Sequence, residues 1–226
     1  ENQEKLLITA APYGPGFLPG DSDDIPVTMD EQVQKAVDCF NAGAQILHIH
    51  VREDDGSGSK RLSKFEELIA RLRQAVPGMI LQVGGSISFA PEPGKEAKWP
   101  GNDSRHALAQ LEPKPDQVTI AIGTSGMNIV DLMSERDVAG TSLAAPEMQA
   151  AYRDMYLEAG PTFYETNLKA LRDNGVQAYF MLGHVHQLET VETLIRTGVY
   201  MGPLISAKQR DKVDGLAAQD EPLCKA

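Results

Sequence analysis

Short apolar runs alternate with amphipathic segments from near the start of the chain to about residue 204. Leu6-Leu7-Ile8-Thr9-Ala10-Ala11 is apolar and is ended by Pro12, Gly14, Pro15 and Gly16, the pattern of a buried strand emptying into a loop. Thr28-Met29-Asp30-Glu31 has the spacing of a capping box and predicts a helix to about Asn41, stopped at Gly43. A second strand runs through Ala44-Gln45-Ile46-Leu47 into His48-Ile49-His50, and a polar loop follows over 54–59. Phe65, Leu68, Ile69 and Leu72 recur at helical spacing ahead of Pro77. Met79-Ile80-Leu81-Gln82-Val83 is the third strand, and 91–101 is a long loop rich in Pro and Gly. A short helix over 106–111 leads to a fourth strand, Gln117-Val118-Thr119-Ile120-Ala121-Ile122. The stretch 146–174 is helical with a break at Gly160-Pro161. A fifth strand at Ala178-Tyr179-Phe180-Met181-Leu182 and a helix over 189–196, closed by Gly198, complete the pattern.

Five strands alternating with helices predict right-handed βαβ units and a parallel sheet. Each strand is followed by a residue able to do chemistry or line a site: Tyr13, the pair His48 and His50, Ser86, Thr124 and His184. Function gathered at the carboxyl ends of successive strands favours a TIM (β/α)8-type barrel over an open doubly wound sheet. A typical barrel needs about 250 residues and eight strands. The expectation is therefore an incomplete barrel of five or six βα units over 1–204. A divergent, weakly ordered tail over 205–226 is expected to follow, with no further strand after Leu204, as in a truncated or frame-altered chain.

Composition narrows the class. The chain has 226 residues, 42% hydrophobic and 23% charged, enough for one sizeable core in a soluble globular unit. A formal net charge of −11 without a basic stripe argues against general affinity for nucleic acid or an anionic membrane. Cys39 and Cys224 lie far apart and form neither a CxxC pair nor a disulfide framework, which favours a cytoplasmic setting. Neither a signal peptide nor an apolar run of membrane-spanning length is visible.

The candidate chemistry centres on His48-Ile49-His50. In a strand, residues i and i+2 share a face about 6.6 Å apart, so two imidazoles can converge on one ion. Neutral imidazole suits zinc, and a catalytic site wants about three protein ligands with one position open. Hydrogen-bonded strand-end histidines would show the same spacing. His184 and His186 repeat it, either facing a substrate or as loop residues at a helix start. Arg52 is a candidate for an anionic substrate, or for a surface pair with Glu53 or Asp55. Ser86 and Thr124 are either substrate contacts or turn residues.

These pieces, in order, resemble the β-keto acid cleavage enzymes: Ile8-Thr9-Ala10-Ala11, Ile25-Pro26-Val27-Thr28, Ala42-Gly43-Ala44 running into His48-Ile49-His50-Val51-Arg52, and Leu188-Glu189-Thr190-Val191 ahead of Gly198-Val199-Tyr200-Met201-Gly202-Pro203. The resemblance implies a zinc-dependent TIM barrel that exchanges acyl groups between a β-keto acid and acetyl-CoA, giving acetoacetate and a new acyl-CoA. It implies His48 and His50 as metal ligands, Ser86 and Thr124 near the substrate carboxylate, and a homo-oligomer, tetrameric in relatives. The family's third ligand, a glutamate in a Gly-Leu-Glu-Asp-Asn-like segment, and the arginine and aspartate that handle protons find no counterpart, so the catalytic residues stay unassigned. Its Ser-Thr-Gly-Gly pattern is shifted here to Gly84-Gly85-Ser86. Met181 stands where relatives often carry a glutamate, which points away from an amino-bearing substrate. Two other functions remain open: an amidohydrolase-like metal hydrolase, since HxH on a barrel strand also serves water activation, and an inactive barrel fragment acting through assembly.

Overall fold

A computed structural model describes residues 7–14, 16–85, 101–123, 125–126, 134–153, 156–204 and 206–208. Within them the chain lays down parallel strands in sequential order: β1 (Thr9–Ala10), β2 (Ile46–Ile49), β3 (Ile80–Val83), β4 (Gln117–Ala121), β7 (Gln177–Leu182) and β8 (Ser206–Lys208). This is the partial barrel expected from the alternation. Its sixth strand falls within the five or six units expected but lies after Leu204, where no further strand was expected. Ser206–Lys208 runs parallel to β7, pairing Phe180 with Ser206 and Leu182 with Lys208, so backbone pairing recruits a segment whose side chains carry no apolar signal. Residues 209–226 lie outside the described residues.

Local chemistry sets the helices. Helix α1 (Met29–Asn41) begins with the anticipated capping box: Thr28 Oγ1 accepts from the Glu31 amide at 3.2 Å, and Glu31 Oε2 accepts from the Thr28 amide at 2.8 Å. It ends just before Gly43, whose φ of +98° only glycine adopts cheaply. Helix α2 (Leu62–Ala75) buries the four residues picked out by their spacing, Phe65, Leu68, Ile69 and Leu72. Each such side chain contributes about 1.5–3 kcal/mol of transfer free energy.

The helix between β3 and β4 starts earlier than its apolar residues suggest. Helix α3 (Asn102–Ala107) opens on a polar turn, and a 3-10 turn at Leu108–Gln110 then buries Leu108 and Ala109. Between β4 and β7 the chain makes β5 (Ser125–Gly126), α4 (Glu135–Val138), a 3-10 turn at Ser142–Ala144, α5 (Pro146–Arg153), β6 (Tyr156–Leu157) and α6 (Pro161–Asp173). The break at Gly160-Pro161 is real, with Gly160 the N-cap and Pro161 in the first turn. Strands β5 and β6 pair antiparallel, away from the main sheet. Helix α7 (Gln187–Arg196) closes the described helices.

The sheet has an apolar face and a polar one. Along β7, Ala178, Phe180 and Leu182 are buried, while Gln177, Tyr179 and Met181 are partly exposed. The buried residues join one cluster with Leu47, Ile49, Leu81, Val83, Val118 and Ile120 and the inward faces of the helices. The alternate positions of β2, β3 and β4 carry His48, Gln82, Gln117 and Thr119. The polar groups therefore share the face turned away from the helices.

Candidate functional site

His48 lies inside β2 and His50 one residue beyond it. Period-2 alternation puts both on the inner face, and their rings meet edge to face with centroids 4.9 Å apart. Their Nε2 atoms approach to 3.1 Å. Two lone pairs would repel at that distance, so a proton on one nitrogen or a cation must lie between them.

The proton on His48 is placed by its neighbours. His48 Nδ1 sits 2.8 Å from Gln82 Oε1, and Gln82 Nε2 donates to Gln117 Oε1 at 2.8 Å. An amide oxygen only accepts, so Nδ1 carries the hydrogen and Nε2 keeps its lone pair. Burial pushes the His48 pKa down from its ordinary value and outweighs the opposing bond to Gln82, which favours the neutral ring. Neither glutamine was singled out from sequence. The available signal was an amide at Gln82 inside an otherwise apolar strand.

Two glycines make room for this arrangement. A Cβ on Gly84 would sit 2.3 Å from His50 Cε1, and one on Gly85 would sit 1.8 Å from the Thr119 carbonyl oxygen. The Gly85 amide donates to Thr119 Oγ1 at 2.7 Å, fastening the end of β3 to β4.

The loops at the mouth are fastened in turn. Gln32 Nε2 donates to the His50 carbonyl at 3.1 Å, and the Tyr13 hydroxyl donates to the Gln32 carbonyl, joining α1 and the β1 loop to the end of β2. Tyr13 is thus a buried brace. Arg52 is buried as well. Its Nη1 donates to the carbonyls of Phe17 at 2.7 Å and Gly56 at 2.8 Å, and its Nη2 to that of Gly14 at 2.7 Å. These bonds hold the β1 and β2 loops together and involve neither Glu53 nor Asp55. Asp21, in the same β1 loop, accepts from the Ser142 hydroxyl at 2.7 Å.

His184 and His186 are exposed on the turn after β7, their rings stacked with centroids 5.3 Å apart. Gln187 fastens that turn: its Oε1 accepts from the Gly183 amide at 2.6 Å and its Nε2 donates to the Ile122 carbonyl. Further out, Arg105 stacks over the Phe163 ring at 3.7 Å and donates to the Glu158 carbonyl at 2.7 Å, and desolvation pulls its pKa down to about 10. The Tyr164 hydroxyl accepts from the Gly123 amide at 2.7 Å. Ser86 and Thr124 lie outside the described residues.

The histidine pair fits one half of a zinc site. Two nitrogens each about 2.05 Å from a tetrahedral ion lie about 3.3 Å apart, close to the separation of the two Nε2 atoms. Gln82 Oε1, which accepts from Nδ1, is also the kind of outer partner that metal-bound histidines usually have. Among the described residues no group of three or more His, Cys, Asp or Glu is placed to hold a metal. Nor is any helix among them long and apolar enough to cross a membrane.

Comparison with known proteins agrees with the partial barrel. A family model described as beta-keto acid cleavage enzyme matches residues 5–208. The 3-keto-5-aminohexanoate cleavage enzyme of Acetoanaerobium sticklandii is 35% identical over 91 residues, which cover 39% of this chain and 33% of that one. The 3-oxoadipate:acetyl-CoA acetyltransferase of Cupriavidus necator is 32% identical over 113 residues, covering 48% of this chain and 35% of that one. The chain thus spans about a third of the length of these two relatives. Among solved structures, apo ObcA superposes with a TM-score of 0.55 at 11% identity over 80% of this chain and 35% of that one, a likeness of fold.

Proposed function

Because the chain belongs to the beta-keto acid cleavage enzyme family, we propose that it takes part in acyl exchange between a β-keto acid and acetyl-CoA, giving acetoacetate and a new acyl-CoA, in the cytoplasm and as a homo-oligomer. The observation that carries the metal-dependent form of this reading is the 3.1 Å approach of the two imidazole Nε2 atoms, with His48 held as the neutral Nδ1–H tautomer. His48 and His50 hold Zn2+ in this reading. When bound, the ion supplies Lewis-acid stabilisation of the negative charge that develops at the β-keto oxygen.

The chain's own residues orient and confine. Gly84 lets the His50 ring lie against the end of β3. The bonds from Gln32 and Arg52 keep the mouth loops in one arrangement, so the reacting groups meet preorganised partners. His184 stands on the exposed turn after β7 as a contact for substrate or coenzyme, and Ser86 and Thr124 are assigned to the substrate carboxylate.

Two measurements test the reading. Elemental analysis is expected to find zinc in the purified chain and to lose it in the His48→Ala/His50→Ala double variant; a parent protein without metal overturns the metal site. Acetoacetate release from a panel of β-keto acids is expected only when acetyl-CoA is added. Turnover without acetyl-CoA indicates a hydrolase instead, and no turnover with any keto acid is the result expected of an inactive assembly subunit.

A further inference from the structure

We infer that Gln82 and Gln117 act as an amide relay that sets which nitrogen of His48 carries the proton, and so keeps Nε2 open toward the position assigned to the ion. The inference rests on the proposed metal site for its purpose, but its geometry stands independently. His48, Gln82 and Gln117 are consecutive register partners on β2, β3 and β4. Both glutamines are buried, at 3% and 5% exposure, beside the strand residues Leu81, Val83 and Val118. An apolar side chain at either position would avoid desolvating an amide, so a buried glutamine pair is costly unless its hydrogen bonds are made. The bonds run from His48 Nδ1 to Gln82 Oε1 and from Gln82 Nε2 to Gln117 Oε1.

That direction comes from Gln117. Its Oε1 accepts from Gln82 Nε2 at 2.8 Å, which obliges Gln82 to present Oε1 to the imidazole. Were the Gln82 amide turned over, its NH2 would face Nδ1 and require a lone pair there. The hydrogen of the neutral ring would then move to Nε2, the atom facing His50. A residue two strands away thus decides whether His48 can act as a ligand. Gln82 and Gln117 are positioning residues: the nearer touches the ring only through Nδ1, and the farther acts through the nearer.

The relay is tested on the metal-free chain, apart from turnover. Long-range 1H–15N correlation spectra of the histidine rings are expected to show His48 protonated at Nδ1 in the parent and in Gln82→Glu, which keeps an acceptor oxygen. In Gln82→Leu, which offers none, Nε2–H should become populated. Gln117→Leu, which frees the Gln82 amide to turn, should give a mixture. Titration with Co2+ alone, followed by its visible absorption, should show affinity about 10–100-fold weaker in Gln82→Leu and near the parent value in Gln82→Glu.

Nε2–H on His48 in the metal-free parent overturns the relay, and so does a Gln82→Leu protein that keeps both the Nδ1–H tautomer of His48 and the parent affinity. Equal loss of affinity in Gln82→Glu and Gln82→Leu overturns it too, by showing that the position matters for packing alone. A parent that takes up no Co2+ while its tautomer responds to Gln82 as expected supports the relay and removes the metal reading.

Discussion

The His50 ring occupies the space a side chain at position 84 would need, and the Thr119 carbonyl occupies the space needed at 85. The two neighbouring glycines therefore predict different failures. Gly85→Ala drives a methyl group into the backbone of β4, which cannot step aside, and should cost about 1–3 kcal/mol or more in urea unfolding. Gly84→Ala meets a ring that can rotate. Its main expected effect is weaker metal uptake, measured by competition with a chromophoric chelator, at a smaller cost in stability.

At this scale the sequence was informative about residue types and poor about their partners. The spacing of His48 and His50 put them on one face, as found. The same letters gave no sign that the Arg52 guanidinium would be taken up by three backbone carbonyls, because backbone acceptors are the same at every residue. Gln82 escaped notice because a single polar residue in a strand reads as alternation.

Among the elements, those whose ends have their own chemistry were legible. Thr28 and Glu31 wrote the start of α1 into the sequence, and removing that cap is a direct check: Thr28→Ala should cost about 1 kcal/mol of stability. The cap also carries a pH signature. Bonds from the Thr28 and Val27 amides hold the Glu31 carboxyl below its ordinary pKa of 4.5. A depressed folded pKa means the contribution is complete above about that pH and is lost as pH falls through the lower folded value. The stability difference between parent and Glu31→Gln, taken from denaturant melts at several pH values, should shrink on acidification and stay constant above about pH 6. Strands β5, β6 and β8 were not legible. Two or three residues long, they exist because a partner strand offers hydrogen bonds, and no periodicity fits in so short a span. Helix α3 was seen late because its first turn is polar.

Over the whole molecule, the alternation of strands and helices was enough to give a partial parallel barrel, and the family match over residues 5–208 agrees. The division of the sheet into a helix-covered face and a polar face was also implicit, since β2, β3 and β4 each carry polar residues at alternate positions. The joining of separate loops was not. Arg52 connects segments 38 residues apart and Asp21 reaches across 121 residues to Ser142, distances at which sequence pattern carries no pairing information. Arg52→Met should therefore loosen two loops together. Amide exchange is expected to quicken across 11–27 and 53–58 while β4 and β7 keep their protection, with global stability lower by on the order of 3 kcal/mol.

The row His48, Gln82 and Gln117 bears finally on how the sheet finds its alignment. Sliding β3 by one residue against its neighbours would send Gln82 among the helices and turn Leu81 onto the polar face, leaving His48 and Gln117 each without its mate. Only one alignment satisfies all three side chains. The groups that prepare an imidazole for its ligand thereby also proofread the pairing of three strands, and a chain that has misaligned them is marked by three stranded polar groups.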